Sequence, residues 1–160
     1  MQIGPTSLWS YARDAHQIRP STCNDHVDQR PGDYINWAQH LPPDLPITKA
    51  VHDAAIAIFG AYYAPWCRVV DMPAFTRDMD ACNLVTRLPR STPPPTRTAA
   101  YSPLLHNCVL YLGLHLLRSY WPDIATAMEN MMDKHFADMV IAETENPDLS
   151  TLRAFILFAT

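Results

Sequence analysis

AYSPLLHNCVLYLGLHLLRSYWP, residues 100–122, is the stretch that decides the fold class. Ser102 offers a side-chain acceptor to the free N–H groups of a helix start. Pro103 follows at a first helical position, where its missing N–H costs nothing. Leu104, Leu105, Cys108, Val109, Leu112, Leu116 and Leu117 then recur at helical spacing. The face is so broad that the helix must be central and mostly buried. Trp121-Pro122 breaks the run.

Working outward, the same logic predicts helices on both sides. Thr48 reads as the N-cap of a helix carrying Val51, Ala54, Ala55, Ile58, Phe59 and Tyr62 on one face, ended by Pro65. Met72 and Pro73 start a short second helix with proline at its first position and with Phe75 and Met79 inward. Beyond Pro122, Asp123 reads as a cap. Ile124, Met128, Met131, Met132, Phe136, Met139 and Val140 supply the stripe, and Glu143, Glu145 and Pro147 mark the end. The four methionines read as core, since methionine fills irregular gaps. Ser150 reads as the cap of a last helix with Leu152, Phe155, Ile156 and Ala159 inward. Leu157 and Phe158 make that helix apolar all round, so the natural domain is expected to continue past residue 160.

Between these helices, TRLPRSTPPPTRT (86–98) is a loop, because consecutive prolines exclude helix and core strand. Residues 1–46 lack a clear period. They read as poorly ordered linker with one short helix near 7–16, closed by the extended segment LPPDLP at 41–46. The expected fold is therefore all-α, with about five helices in a domain spanning 47–160.

Composition narrows the function classes. A chain of 160 residues with 48% hydrophobic content is long enough for one core. Only 4 glycines argue against a turn-rich β-fold. A net charge of −4 does not suggest a bare nucleic-acid binder, which draws affinity from a basic face. No apolar run reaches the roughly 18 residues of a membrane span, and the basic-then-apolar pattern of a secretory signal is lacking. Cys23, Cys67, Cys82 and Cys108 include no close pair of the kind that presets zinc ligands, so they read as reduced thiols.

The search for chemistry finds no phosphate loop, no Gly-x-Ser-x-Gly elbow and no His-Glu-x-x-His. His106, Asn107 and Cys108 are the residue types of a cysteine protease, but neighbours on a helix point apart. They read as core thiol and ordinary hydrogen-bonding groups. His52 and His115 would make a two-histidine metal site only if their helices packed together, and ordinary hydrogen-bonded histidines are the plainer reading. Arg87, Arg90 and Arg97 read as a solvated loop, and Thr92-Pro93 has the form of a proline-directed phosphorylation site. No residue is assigned to catalysis, to a cofactor or to a metal.

One resemblance gives a function. Pro65, Trp66 and Cys67, then Pro73 through Met79, then Tyr101 to Asn107, then Pro147 to Leu152 occur in this order and spacing. The set resembles the middle homology region of fungal zinc-cluster transcription factors, in the branch of nitrogen-assimilation and xylanolytic regulators. It covers 48–160, about two-thirds of the chain. The resemblance implies an all-helical regulatory domain, here its N-terminal part, that is not an enzyme and works in the nucleus. It implies control of RNA polymerase II transcription of metabolic genes. Zinc and DNA are the cofactor and partner of a six-cysteine module that this chain lacks. A homodimer or a regulatory protein partner is implied as well, and no membrane. The alternative is a stand-alone helical protein-interaction or ligand-binding module without DNA binding.

Overall fold

Four of the six described helices begin behind a short polar side chain that caps them. The structure, a computed structural model, describes residues 33–86 and 95–159, all within the compact unit Pro31–Thr160. In chain order the described elements are β1 (Tyr34–Ile35), α1 (Lys49–Tyr62), α2 (Ala64–Cys67), α3 (Met72–Cys82), β2 (Leu84–Val85), α4 (Pro103–Leu116), α5 (Pro122–Thr144) and α6 (Leu149–Phe158). The two strands pair antiparallel, Tyr34 opposite Val85 and Ile35 opposite Leu84. The fold is all-α, with this ladder as a minor addition. The region read as a helix near 7–16 lies outside the described residues, as do Arg87, Arg90 and Thr92.

The predicted caps at Thr48 and Ser102 are present. Thr48 accepts from the Val51 N–H at 3.4 Å, and Ser102 from the Leu105 N–H at 3.1 Å. Three other starts differ. Asp71 caps α3 through the Ala74 N–H at 3.1 Å, and Met72 rather than Pro73 is its first residue. α5 begins at Pro122 behind Trp121, which makes no side-chain cap, and Asp123 lies in the first turn, where its charge suits the helix dipole. α6 is capped by Asp148, not Ser150. The Asp148 carboxylate accepts from the Thr151 N–H at 3.1 Å and from the Ser150 hydroxyl at 2.6 Å. A carboxylate ahead of the helix is a stronger acceptor than the hydroxyl that follows it. Pro65 does not end α1 either. It sits in the first turn of α2, which closes at Arg68 with φ 49°.

α4 is the central helix. Leu104, Leu105, Val109 and Leu110 have no exposed surface, and α1, α5 and α6 pack around it. At its end Leu117 is buried while Leu116 is exposed. Gly113 sets the closeness of the α1 crossing, because a Cβ there would collide with the Ala55 carbonyl. Phe75, Met79 and Cys82 turn the inner face of α3 to the core, and Met128, Met132 and Phe136 do so for α5.

Two expectations are corrected, the inward face of α6 and the extended segment at 41–46. On α6, Thr151, Ala154 and Leu157 are buried, whereas Leu152 and Ile156 are 56% and 50% exposed. Ala159 is exposed too. The reason is polar, since Ser150 and Thr151 are held in the interior by hydrogen bonds that fix the helix rotation. Glu143 and Glu145 flank the end of α5 as the sequence suggests, but Glu143 does not face solvent. It is buried, one residue before α5 stops at Thr144. The part of the linker that is described, 33–46, contributes β1, and it buries Leu41 and Pro42. It turns at Pro43-Asp44, where Asp44 has φ 66°, instead of running extended.

Leu105→Ala should lower stability by about 2–5 kcal/mol, and Ser102→Ala by about 1 kcal/mol, in a urea series. Gly113→Ala should cost about 1–3 kcal/mol in the same assay although alanine favours helix, because the opposing group is backbone and cannot swing aside. A neutral result for Gly113→Ala would place the α1–α4 crossing elsewhere.

Candidate functional site

Five side chains form one hydrogen-bonded file through the interior. Asn83 Nδ2 donates to the Tyr101 hydroxyl at 2.9 Å and to the Met79 carbonyl at 2.9 Å. The Tyr101 hydroxyl lies 3.3 Å from His106 Nδ1. His106 Nε2 lies 2.8 Å from His52 Nε2, and His52 Nδ1 lies 2.9 Å from Asp53 Oδ1. His52, Tyr101 and His106 have no exposed surface and Asn83 almost none, while the Asp53 side chain is half exposed.

Local structure explains each placement. His52 stands one turn inside α1, four residues past its cap. Asn83 is the C-cap of α3. Tyr101 precedes the Ser102 cap, and its N–H donates to Thr98 Oγ1 at 3.1 Å. His106 lies in the first turn of α4. Trp37 covers His52 with ring centroids 5.0 Å apart, and Phe75 lies against both Tyr101 and His106.

The two ends of the file assign the protons between them. An amide nitrogen only donates and an ionised carboxylate only accepts. His52 therefore carries its proton on Nδ1 and His106 on Nε2, and the Tyr101 hydroxyl donates to His106 Nδ1. Electrostatics agree. Burial pushes the Asp53 carboxyl up, but hydrogen bonds from His52 and Lys49 outweigh it and leave it below its ordinary value. Burial, then the neighbouring His52 and His40, hold His106 well below the usual histidine range. Burial raises the Tyr101 phenol.

The geometry is that of a hydrogen bond and not of a metal site. The ring centroids of His52 and His106 are 5.1 Å apart, which is the nitrogen–nitrogen distance plus one ring radius at each end. The two nitrogens thus point straight at each other. A zinc ion between them would sit far inside the usual zinc–nitrogen distance of about 2.0–2.1 Å. His115 is not brought to His52. It is exposed and 3.8 Å from Glu129, which also binds Arg118 at 2.6 Å. Among the described residues no group of three or more His, Cys, Asp or Glu could hold a metal ion.

A second polar centre was missed in the sequence. Glu143 accepts from the Leu104 N–H at 2.8 Å and from the Thr151 hydroxyl at 3.1 Å. One carboxylate thereby ties the start of α4 to the start of α6. The signal was available, since a helix start leaves unpaired N–H groups that attract an anion, but the partner is 39 residues away. Asn107 makes a third junction. Its Nδ2 donates to the His40 carbonyl at 2.7 Å, which His135 Nε2 also approaches at 3.1 Å.

His106, Asn107 and Cys108 diverge as expected. Cys108 Sγ points to the Ala154 carbonyl at 3.7 Å. Burial pushes its thiol up to about 12, and burial with the Asp78 charge pushes Cys82 to about 11. Neither is a thiolate nucleophile near neutral pH. Arg97, with Thr96, Pro103, Met139 and Glu143, lines an open cavity of about 280 Å3. Another, of about 330 Å3, lies between Tyr63, Tyr111, His115, Leu157 and Phe158. No described helix is long and apolar enough to cross a membrane.

No family model, no curated protein and no solved structure matches the chain.

Tyr101→Phe would leave His106 Nδ1 without its donor and take from Asn83 Nδ2 one of its two acceptors. It should destabilise the chain by about 1–3 kcal/mol in thermal or urea unfolding, despite keeping the ring. An unchanged midpoint would mean that the hydroxyl is not part of the file.

Proposed function

We propose that this helical unit is the regulatory domain of a fungal transcription factor of the zinc-cluster class, acting in the nucleus on RNA polymerase II genes. In this reading zinc and DNA are bound by a separate six-cysteine module of the same protein, and the present domain transmits or restrains activation without catalysis. One observation supports it beyond the motif order. Three of the motif segments converge on the head of α4. Phe75, from the Pro73–Met79 segment, lies 5.8 Å and 6.2 Å from the rings of Tyr101 and His106, which belong to the Tyr101–Asn107 segment. Thr151, from the Pro147–Leu152 segment, reaches the same helix start through Glu143. Residues that recur together as a pattern are expected to be the ones that hold one structural junction.

A second reading, a helical protein-interaction module without DNA binding, has its own support. Leu149, Leu152 and Ile156 lie on one side of α6 and are all exposed, and Trp66 is 88% exposed. Aromatic and aliphatic side chains left in solvent together favour a protein contact. Sequencing the transcript from the native host, including its 5′ end, separates the two. The first reading expects an in-frame upstream stretch with two closely spaced cysteine groups. A transcript whose reading frame opens at Met1 would overturn it and leave the second.

A further inference from the structure

We propose that the His52–His106 pair is an acid-operated latch on the α1–α4 seam, closed while one proton lies between the two Nε2 atoms and opened by uptake of a second. This is a property of the fold and stands apart from the transcriptional reading. The bond is head-on, 2.8 Å long and fully buried, and it joins the two helices that cross most closely at Ala55 and Gly113.

A second proton has two lone pairs to go to, and both are in use. On His52 Nε2 it sets N–H against N–H, and the bond is lost. On His106 Nδ1 it creates an imidazolium in full burial and turns the Tyr101 hydroxyl away from its acceptor. The file cannot adapt by reversing every donor. Reversal would need Asn83 to present its oxygen to Tyr101. That turn of the amide would set Asn83 Oδ1 against the Met79 carbonyl oxygen, acceptor against acceptor, where Nδ2 now donates at 2.9 Å. Asn83 Oδ1 is itself buried without a partner, so the amide has no slack to trade.

Charged and titratable groups face the pair from α1, from α3 and from the segment before α1. Asp53 and Lys49 stand at the outer end on α1, joined at 2.6 Å. Asp80 on α3 acts on His52 from the same side, and its carboxyl is raised by burial. His40, before α1, adds positive charge toward His106 when protonated, and it is itself held down by burial and by His135 of α5. Cys82 and Glu143 act on Tyr101. The sign follows. His106 titrates lower in the fold than in the unfolded chain, whose histidines titrate near about 6.5, so the seam's stability is complete above that pH and is lost as pH falls below it. One proton taken up on opening makes the open fraction rise about tenfold per pH unit.

Histidine-ring nitrogen NMR and amide hydrogen exchange on the whole chain, from pH 7.5 down to pH 5, test this. Near neutrality His52 should appear as the Nδ1-protonated form and His106 as the Nε2-protonated form, with one shared, strongly hydrogen-bonded proton. On acidification both rings should change in a single coupled step. Protection of the 52–59 and 106–113 amides, corrected for intrinsic exchange, should fall about tenfold per pH unit below about 6.5. His40→Gln should keep that slope, and His106→Gln, if it folds, should flatten it. The latch is refuted if the rings titrate while protection stays constant, if protection is flat until the whole unit unfolds, or if the slope survives His106→Gln.

Discussion

The crossing of α1 over α4 is the constraint on which the remaining contacts depend. Gly113 lets the Ala55 carbonyl come against the α4 backbone, and no other residue leaves that space. Once the two helices are this close, His52 is carried to His106 and Phe59 is enclosed completely. α5 and α6 then cover the other sides of α4, whose buried face is too wide for a single neighbour. Hydrophobic burial supplies most of the driving force in such a core, but the backbone approach decides which side chains meet.

Polar groups inside this core act as locators. An apolar side chain tolerates several neighbours, whereas a buried donor or acceptor requires a partner at a set distance and angle. Glu143 shows the effect. Its two bonds fix the start of α6 against the start of α4, and they hold Thr151 inside at the expense of Leu152 and Ile156. The His52–His106 file does the same for α1, α3 and α4, using one residue or more from each element or its end. Cys82 and Cys108 take no part in these junctions. They serve as small apolar residues whose thiols are raised by burial.

The functional reading rests on where particular residues fall. Three of the four segments that resemble a fungal regulatory region have side chains that meet at the head of α4. His52, Tyr101 and His106 are fully enclosed, whereas the buried Glu143 lines the open cavity beside Arg97. The exposed apolar side of α6 and the exposed Trp66 stand in solvent, and in the second reading they would be where other protein binds.

By itself the sequence determined the helical class, the central place of 103–116, and the caps at Thr48 and Ser102. These follow from local chemistry: spacing of apolar residues, hydrogen bonding within three residues, and the fixed φ of proline. It also determined that His106, Asn107 and Cys108 would diverge, since helix geometry alone dictates their directions. Only the tertiary structure decided that His52 meets His106 and not His115, that Glu143 is buried, and that α6 turns Thr151 inward. It also decided that Leu41 and the Tyr34–Ile35 strand join the core unit. Each of these depends on partners far apart in the chain, 54 residues for the histidine pair and 39 for Glu143 and Leu104. A periodic pattern reports which face of a helix is apolar, but a polar residue on that face carries no record of its partner, which the crossing of two backbones alone supplies.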